Sequence, residues 1–187
     1  SGSLGDPLAG TVGGGVTWGD YDLDGDLDMY LGSRNNPTHL LRNEGGGRFE
    51  NVTTPPLGEI GVTPRVSFAD FDNDGDLDVY QLSGSTHNKL FRNDQATSNK
   101  WLKIKLQGTV SNRSGIGARV RVVTGSLKQI QELNAGSGHF SQNPLPVVFG
   151  FGSVSTVDTL EIRWPSGIVQ RMTSVATNQV LAVTESE

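Results

Sequence analysis

The sequence predicts an all-β protein in which two repeats, each with a metal loop, pack on a C-terminal β-sandwich-like domain. Three observations lead there. Glycine makes up 25 of 187 residues, and long helix-period patterns are hard to find, a composition suited to short strands and tight turns. An acidic nine-residue segment is written twice, Asp20-Tyr-Asp22-Leu-Asp24-Gly25-Asp26-Leu-Asp28 and Asp70-Phe-Asp72-Asn-Asp74-Gly75-Asp76-Leu-Asp78, at an offset of 50. A fixed-period copy of this kind marks a repeated structural unit. After residue 98, short runs alternate apolar and polar residues between glycine- and proline-bearing turns, the pattern of half-buried strands in a sandwich.

In chain order, residues 1–15 are rich in Gly, Ser and Pro and are expected to form a loose lead-in. Val16–Trp18 feeds the first acidic loop and Met29–Leu31 leaves it. Thr38–Leu41 and Arg48–Val52 follow as strands joined by a Gly45-Gly46-Gly47 turn. The pattern returns with Val66–Phe68, the second loop, Val79–Gln81 and Lys89–Phe91, so that Tyr80 answers Tyr30, Leu90 answers Leu40 and Arg92-Asn93 answers Arg42-Asn43. Leu27 and Leu77 are expected to face inward and anchor their loops. Trp101–Gln107 then alternates strictly, with Leu102, Ile104 and Leu106 on one face and Lys103 and Lys105 on a solvated face. Gly117–Val123 buries Val120 and Val122, and Leu127–Leu133, Val147–Phe151, Leu160–Trp164, Ile168–Met172 and Val180–Val183 complete about seven strands. The boundary is placed between a repeat half, 1–97, and a sandwich half, 98–187. Two repeats cannot bury their own apolar faces, so the halves are expected to pack as one rigid body.

Each acidic loop carries five carboxylates in nine residues. Their repulsion gains nothing from an extended strand, whereas a hard cation reverses the balance: calcium takes six to eight oxygen ligands. Asp at positions 1, 3 and 5 directs three side chains into one turn. Gly25 and Gly75 at position 6 permit a sharp, left-handed bend; position 7 offers a backbone carbonyl, and Asp at position 9 closes the site. Two calcium ions are therefore expected. A solvated acidic run would not keep alternate register with one Gly and then repeat it. An EF-hand would need Glu at position 12, where Leu31 and Gln81 stand. Magnesium retains more of its water, and neither loop has the Cys or His that zinc prefers.

The loops hold ten of the 20 acidic residues, so the rest of the chain has ten acids against 15 bases. Acidity is thus a local metal requirement and says little about an acidic partner surface. No basic cluster points to nucleic acid, and no apolar run approaches the ~20 residues of a membrane-spanning helix. Cysteine is absent, so disulfides cannot hold the structure, and calcium is expected to serve as the staple in an extracellular setting. The Ser1-Gly2-Ser3 start has no signal-peptide pattern and is expected to be either a processed end or an added one. Asn51-Val-Thr53 and Asn112-Arg-Ser114 are glycosylation sequons.

On Asp20–Asp28, Asp70–Asp78 and their flanking strands, the first half resembles the FG-GAP/VCBS repeats of integrin-α-like β-propellers. The resemblance implies a loop hairpin within a four-stranded blade. It implies side-chain ligands Asp20, Asp22, Asp24, Asp28, Asp70, Asp72, Asp74 and Asp78, with Asp26 and Asp76 supplying backbone carbonyls. Propellers need four to eight blades, and two copies cannot close a ring. A second resemblance spans residues 87–184: Asn88-Lys-Leu-Phe-Arg-Asn93, Asn99-Lys-Trp101-Leu, Ser111-Asn-Arg113, Gly115-Ile-Gly117-Ala, Gly136-Ser-Gly-His-Phe-Ser-Gln142, Phe149-Gly-Phe-Gly152 and Trp164-Pro-Ser-Gly167 look like an ASPIC/UnbV domain. That domain commonly follows VCBS repeats in secreted bacterial proteins and in the cartilage acidic protein family, which implies an extracellular location.

No catalytic motif stands out. Gly136-Ser-Gly138 lacks the spacing of a nucleophile elbow, Gly13–Gly15 and Gly115–Gly117 lack the remaining positions of a phosphate loop, and His39, His87 and His139 sit in unrelated contexts. The tryptophans Trp18, Trp101 and Trp164 are assigned to the core or its margins. The expected function is a calcium-stabilised extracellular structural or adhesion module, monomeric and non-enzymatic, with an extracellular protein or matrix partner. Two alternatives stand beside it. One is an autocatalytic cross-linking module with a side-chain amide bond; the other is a hydrolase fragment, which would need a carboxylate pair among residues such as Glu132, Asp158 and Glu161.

Overall fold

Alternating apolar residues and frequent glycine turns leave the chain as strands throughout. A computed structural model describes residues 14–58, 60–62, 65–82, 87–94, 98–136 and 143–186, and no helix occurs among them. Most of the expected lead-in and the His139–Gln142 stretch lie outside the described residues.

The first repeat contributes β1 (Val16–Gly19), β2 (Asp28–Leu31), β3 (Arg34–Pro37), β4 (His39–Asn43) and β5 (Phe49–Asn51). The order β1-β2-β4-β5 makes a four-stranded antiparallel sheet. Gly45, Gly46 and Gly47 turn β4 into β5 at φ of 71°, 61° and 77°, a conformation open to glycine at little cost. β6 (Ile60–Val62) pairs with β3 outside that sheet. β7 (Arg65–Ala69), β8 (Asp78–Leu82) and β9 (Lys89–Phe91) form the second, three-stranded sheet. The 50-residue offset survives in the register: Trp18 faces Met29 as Phe68 faces Val79, and Tyr30 faces Leu40 as Tyr80 faces Leu90.

Packing breaks this symmetry. The second sheet covers the first, so that Tyr21, Tyr30 and Leu40 share one core with Val66, Phe68 and Val79. The Tyr30 hydroxyl lies 3.0 Å from Thr38 Oγ1, donates to Leu57 O at 3.1 Å and accepts from Gln81 Nε2. Tyr80 and Leu90, the counterparts of Tyr30 and Leu40, stay 39% and 50% exposed. Leu77 packs against this core, beside Gly19. Leu27 does not anchor its loop and is 44% exposed, on the wall of a cleft that Lys105 and Val148 also line. Trp18 sits at a margin, edge-on to Phe49 with centroids 6.1 Å apart.

The second half contains β10 (Trp101–Gln107), β11 (Arg119–Thr124), β12 (Leu127–Glu132), β13 (Val147–Gly150), β14 (Thr156–Arg163), β15 (Val169–Ala176) and β16 (Gln179–Thr184). Two sheets, β13-β10-β16 and β12-β11-β14-β15, enclose Leu102, Ile104, Val120, Val122, Phe149, Leu160, Ile162 and Trp164. The inward residues are those the alternation selected. One pairing is parallel, β10 with β16. The outward face of β10 departs from expectation at Lys103, which is 5% exposed because the repeat half covers it.

β16 is fastened at its end by Glu185. Glu185 Oε2 accepts the backbone N–H groups of Thr109 (2.9 Å), Val110 (2.8 Å) and Ser111 (2.7 Å), while Oε1 accepts the hydroxyls of Ser111 and Ser166. Burial alone would raise its pKa, but the hydroxyl and backbone bonds outweigh it and bring the group from 4.5 down to about 2. A depressed carboxylate contributes stability above its unfolded pKa and loses it as pH falls through the folded value. Glu185→Gln should therefore lower the melting temperature at neutral pH, and the gap to wild type should close between pH 4.5 and about 2. Parallel melting curves at pH 7 would contradict this fastening.

Candidate metal centres

Both acidic loops join the first two strands of their repeats and share one backbone course. Leu23 and Asn73 at position 4 have φ of 62° and 65°, and Gly25 and Gly75 have φ of 107° and 106°. These two left-handed residues curl each loop so that its alternate carboxylates converge. The ninth position is a staple: Asp28 accepts Tyr21 N (3.0 Å) and Asn43 N (2.8 Å), and Asp78 accepts Phe71 N (2.9 Å) and Asn93 N (2.8 Å). Both side chains are fully buried.

One carboxylate oxygen each from Asp20, Asp22 and Asp28 lies within 4.8 Å of the others, and the same holds for Asp70, Asp72 and Asp78. Two oxygens bound to one calcium at 2.3–2.6 Å lie at most about 5 Å apart, so each triad fits a single ion. Asp24, Asp26, Asp74 and Asp76 fall outside the triads. Asp24 Oδ1 accepts Asp26 N at 2.9 Å and Asp74 Oδ1 accepts Asp76 N at 3.2 Å, so these residues brace the bend. The carboxylates of Asp24, Asp26 and Asp74 are exposed.

The electrostatics call for a counter-charge. Asp20 Oδ1, Asp22 Oδ1, Asp70 Oδ1 and Asp76 Oδ1 are buried without a hydrogen-bond partner, and an ionised oxygen left so costs several kcal/mol. With no cation in the loop, burial, then repulsion from Asp24, Asp28 and Asp22, pushes Asp20 up to about 8. Asp28 rises to about 7, chiefly through burial. The donors are all oxygen, and burial of this anionic set is the chemistry that a hard cation completes.

The two loops are also where the halves of the chain meet. Asp20 Oδ2 accepts Gly25 N (3.1 Å) within its loop and Gly150 N (3.0 Å) from β13. Asn99 Nδ2 donates to Asp22 O at 2.8 Å and Gly152 N to Leu23 O at 3.0 Å. On the second loop, Lys103 Nζ donates to Asp70 Oδ2 at 2.8 Å and to Asn73 Oδ1 at 3.2 Å, and Gly75 lies against the Trp101 ring. None of Asn99, Trp101, Lys103, Gly150 or Gly152 was assigned to the sites from sequence. Lys103 in particular reads as one member of a solvated alternation, with no local signal to set it apart.

Among the described residues, Glu132, Asp158 and Glu161 do not join a further acidic cluster. Glu161 is held by Arg171 (2.8 Å) and Arg163 (3.3 Å), Asp158 accepts Gly125 N at 2.7 Å, and Glu132 lies 3.8 Å from Arg119. No helix among the described residues is long and apolar enough to cross a membrane. Residues 20–81 match the FG-GAP-like repeat family, and residues 108–187 match the ASPIC and UnbV family. No curated protein matches the chain.

Proposed function

For a chain built of FG-GAP-like repeats followed by an ASPIC/UnbV domain, we propose the role of a calcium-stabilised extracellular structural or adhesion module. The observation that carries it is the set of buried, unpartnered carboxylate oxygens on Asp20, Asp22 and Asp70, each in a triad spaced for one ion. Calcium is preferred to magnesium because these loops commit several carboxylates to one cation, whereas magnesium keeps most of its water. Bound there, calcium supplies charge neutralisation and cross-links rather than chemistry. Asp20, Asp22 and Asp28 would hold one ion and Asp70, Asp72 and Asp78 the other, with Asp26 and Asp76 offering carbonyls. FG-GAP-like repeats are typical of secreted proteins, and the partner proposed is an extracellular protein or matrix component. No catalytic step is assigned, since Glu132, Asp158 and Glu161 are each tied to a different structural partner. Native mass spectrometry of the purified protein should find two calcium ions per chain, absent from an Asp22→Asn, Asp72→Asn double variant. A metal-free wild type after calcium dialysis would overturn the reading.

Because each loop leans on the second half, residues 1–97 expressed alone are expected to show no cooperative melt even with calcium. A sharp, monomeric transition would refute that dependence. The amide cross-link has one observation in its favour, the approach of Lys103 Nζ to Asp70 and Asn73. Attack of that amine on the Asp70 carboxyl carbon would release water, and on the Asn73 amide carbon ammonia. An intact mass equal to that of the unmodified chain removes this alternative.

A further inference from the structure

The two loops share a backbone but not a charge environment. Around the first, the groups that reach in from elsewhere are neutral: Gly150 N to Asp20 Oδ2, Asn99 Nδ2 to Asp22 O, Gly152 N to Leu23 O, and Asn93 Nδ2 to Tyr21 O. Around the second, Asp70 stands where Asp20 stands and gives its Oδ2 to the Lys103 ammonium at 2.8 Å. The Lys103 and Asp70 side chains are 6% and 1% exposed, so this pair has little water to screen it. The equivalent arginines do not make this difference. Arg42 pairs with Glu44 and Glu50 and also acts on Asp22 through its charge, and Arg92, besides pairing with Asp94, comes within 4.0 Å of Asp72, so the arginines add similar charge to both loops. What sets the second loop apart is one buried positive charge, Lys103, in contact with a triad carboxylate.

That charge does not block the site. Asp70 Oδ1 remains buried without a partner, as does Asp20 Oδ1. In each loop Oδ2 of the first aspartate is held by hydrogen bonds and Oδ1 has none. The holder is a backbone N–H in one case and an ammonium in the other. We propose that Lys103 makes the second loop the weaker of the two metal sites, filled after the first, while keeping Asp70 aligned when no ion is bound. Two effects act together. The ammonium partly neutralises the empty loop, so the empty state is less destabilised. It also repels a divalent ion a few ångströms away in a water-poor setting, where like charges interact more strongly than in bulk water.

This inference rests on the calcium reading above and is tested by calorimetric calcium titration of the full chain after chelator and dialysis. Two classes of site are expected, with Kd values at least about tenfold apart. Asp22→Asn should remove the tight class and Asp72→Asn the weak one. Lys103→Gln keeps a donor for Asp70 without the charge, and should bring the weak class to within about threefold of the tight one. A purely structural lysine would instead weaken or unfold the second site on substitution. If Lys103→Gln fails to fold, the Asp22→Asn and Asp72→Asn assignments in the native background still decide the order of filling. Equal affinities, a tight class lost through Asp72→Asn, or a weak class unmoved by Lys103→Gln in a folded variant would each overturn the proposal while leaving two calcium sites standing. Absence of calcium heat in every variant would instead remove the calcium reading, and this inference with it.

Discussion

Chelation is expected to lower the melting temperature of this protein by about 10–20 °C, with recovery on adding calcium. An ion that binds the folded chain but not the unfolded one stabilises by RT ln(1 + [Ca]/Kd), about 2.7 kcal/mol per site at a hundredfold excess over Kd. Two sites together contribute on the order of 5 kcal/mol, comparable with the whole stability of a small domain. The loss spreads beyond the loops because they are the seam between the two halves: Asp20 ties β1 to Gly150, and Asp70 ties β7 to Lys103. Magnesium should restore little, since it demands a tighter octahedron and dehydrates reluctantly. Asp20→Ala should remove the first site's share while leaving the second responsive to calcium. Coincident melts with and without chelator, in a sample proven metal-free at the start and calcium-loaded in the comparison, would sink the metal reading.

Gly75→Ala should strongly destabilise the repeat half, costing about 2–6 kcal/mol. Two penalties combine. Gly75 has φ of 106°, a region that strains a residue with a side chain by about 1–3 kcal/mol. The added Cβ would also lie 2.0 Å from Trp101 Cε2, and such overpacking costs about 1–3 kcal/mol more. Gly46→Ala is the control, because its φ is 61° but nothing lies within 4 Å of the added atom; it should cost about 1 kcal/mol. In a Trp101→Leu background the steric part should vanish and the backbone part remain, a non-additivity typical of residues in contact. Denaturant melts of the four variants measure this. Equal costs for Gly75→Ala and Gly46→Ala would show that the second loop does not rest on Trp101.

Much of this architecture is a local property of the chain. Alternation in Trp101–Gln107 and Gly117–Val123 assigns Leu102, Ile104, Val120 and Val122 to the core without reference to any other segment, and all four are buried. Likewise the Asp-x-Asp-x-Asp-Gly spacing encodes its own curl, and both copies take the same φ angles at positions 4 and 6. Contacts between distant segments decided the rest. Tyr30 is buried and Tyr80 exposed in the same register, because the second sheet covers the first and none among the described residues covers the second. The identity of the converging carboxylates, three of five in each loop, follows from how Asp28 and Asp78 are stapled by Asn43 and Asn93. Lys103 meets Asp70 across 33 positions and Asp20 meets Gly150 across 130. A two-residue period records only whether a side chain leaves its own strand upward or downward. Whether water, a neighbouring sheet or a buried carboxylate waits there depends on the packing of the two halves, and so the charge that distinguishes the two loops belongs to the tertiary structure alone.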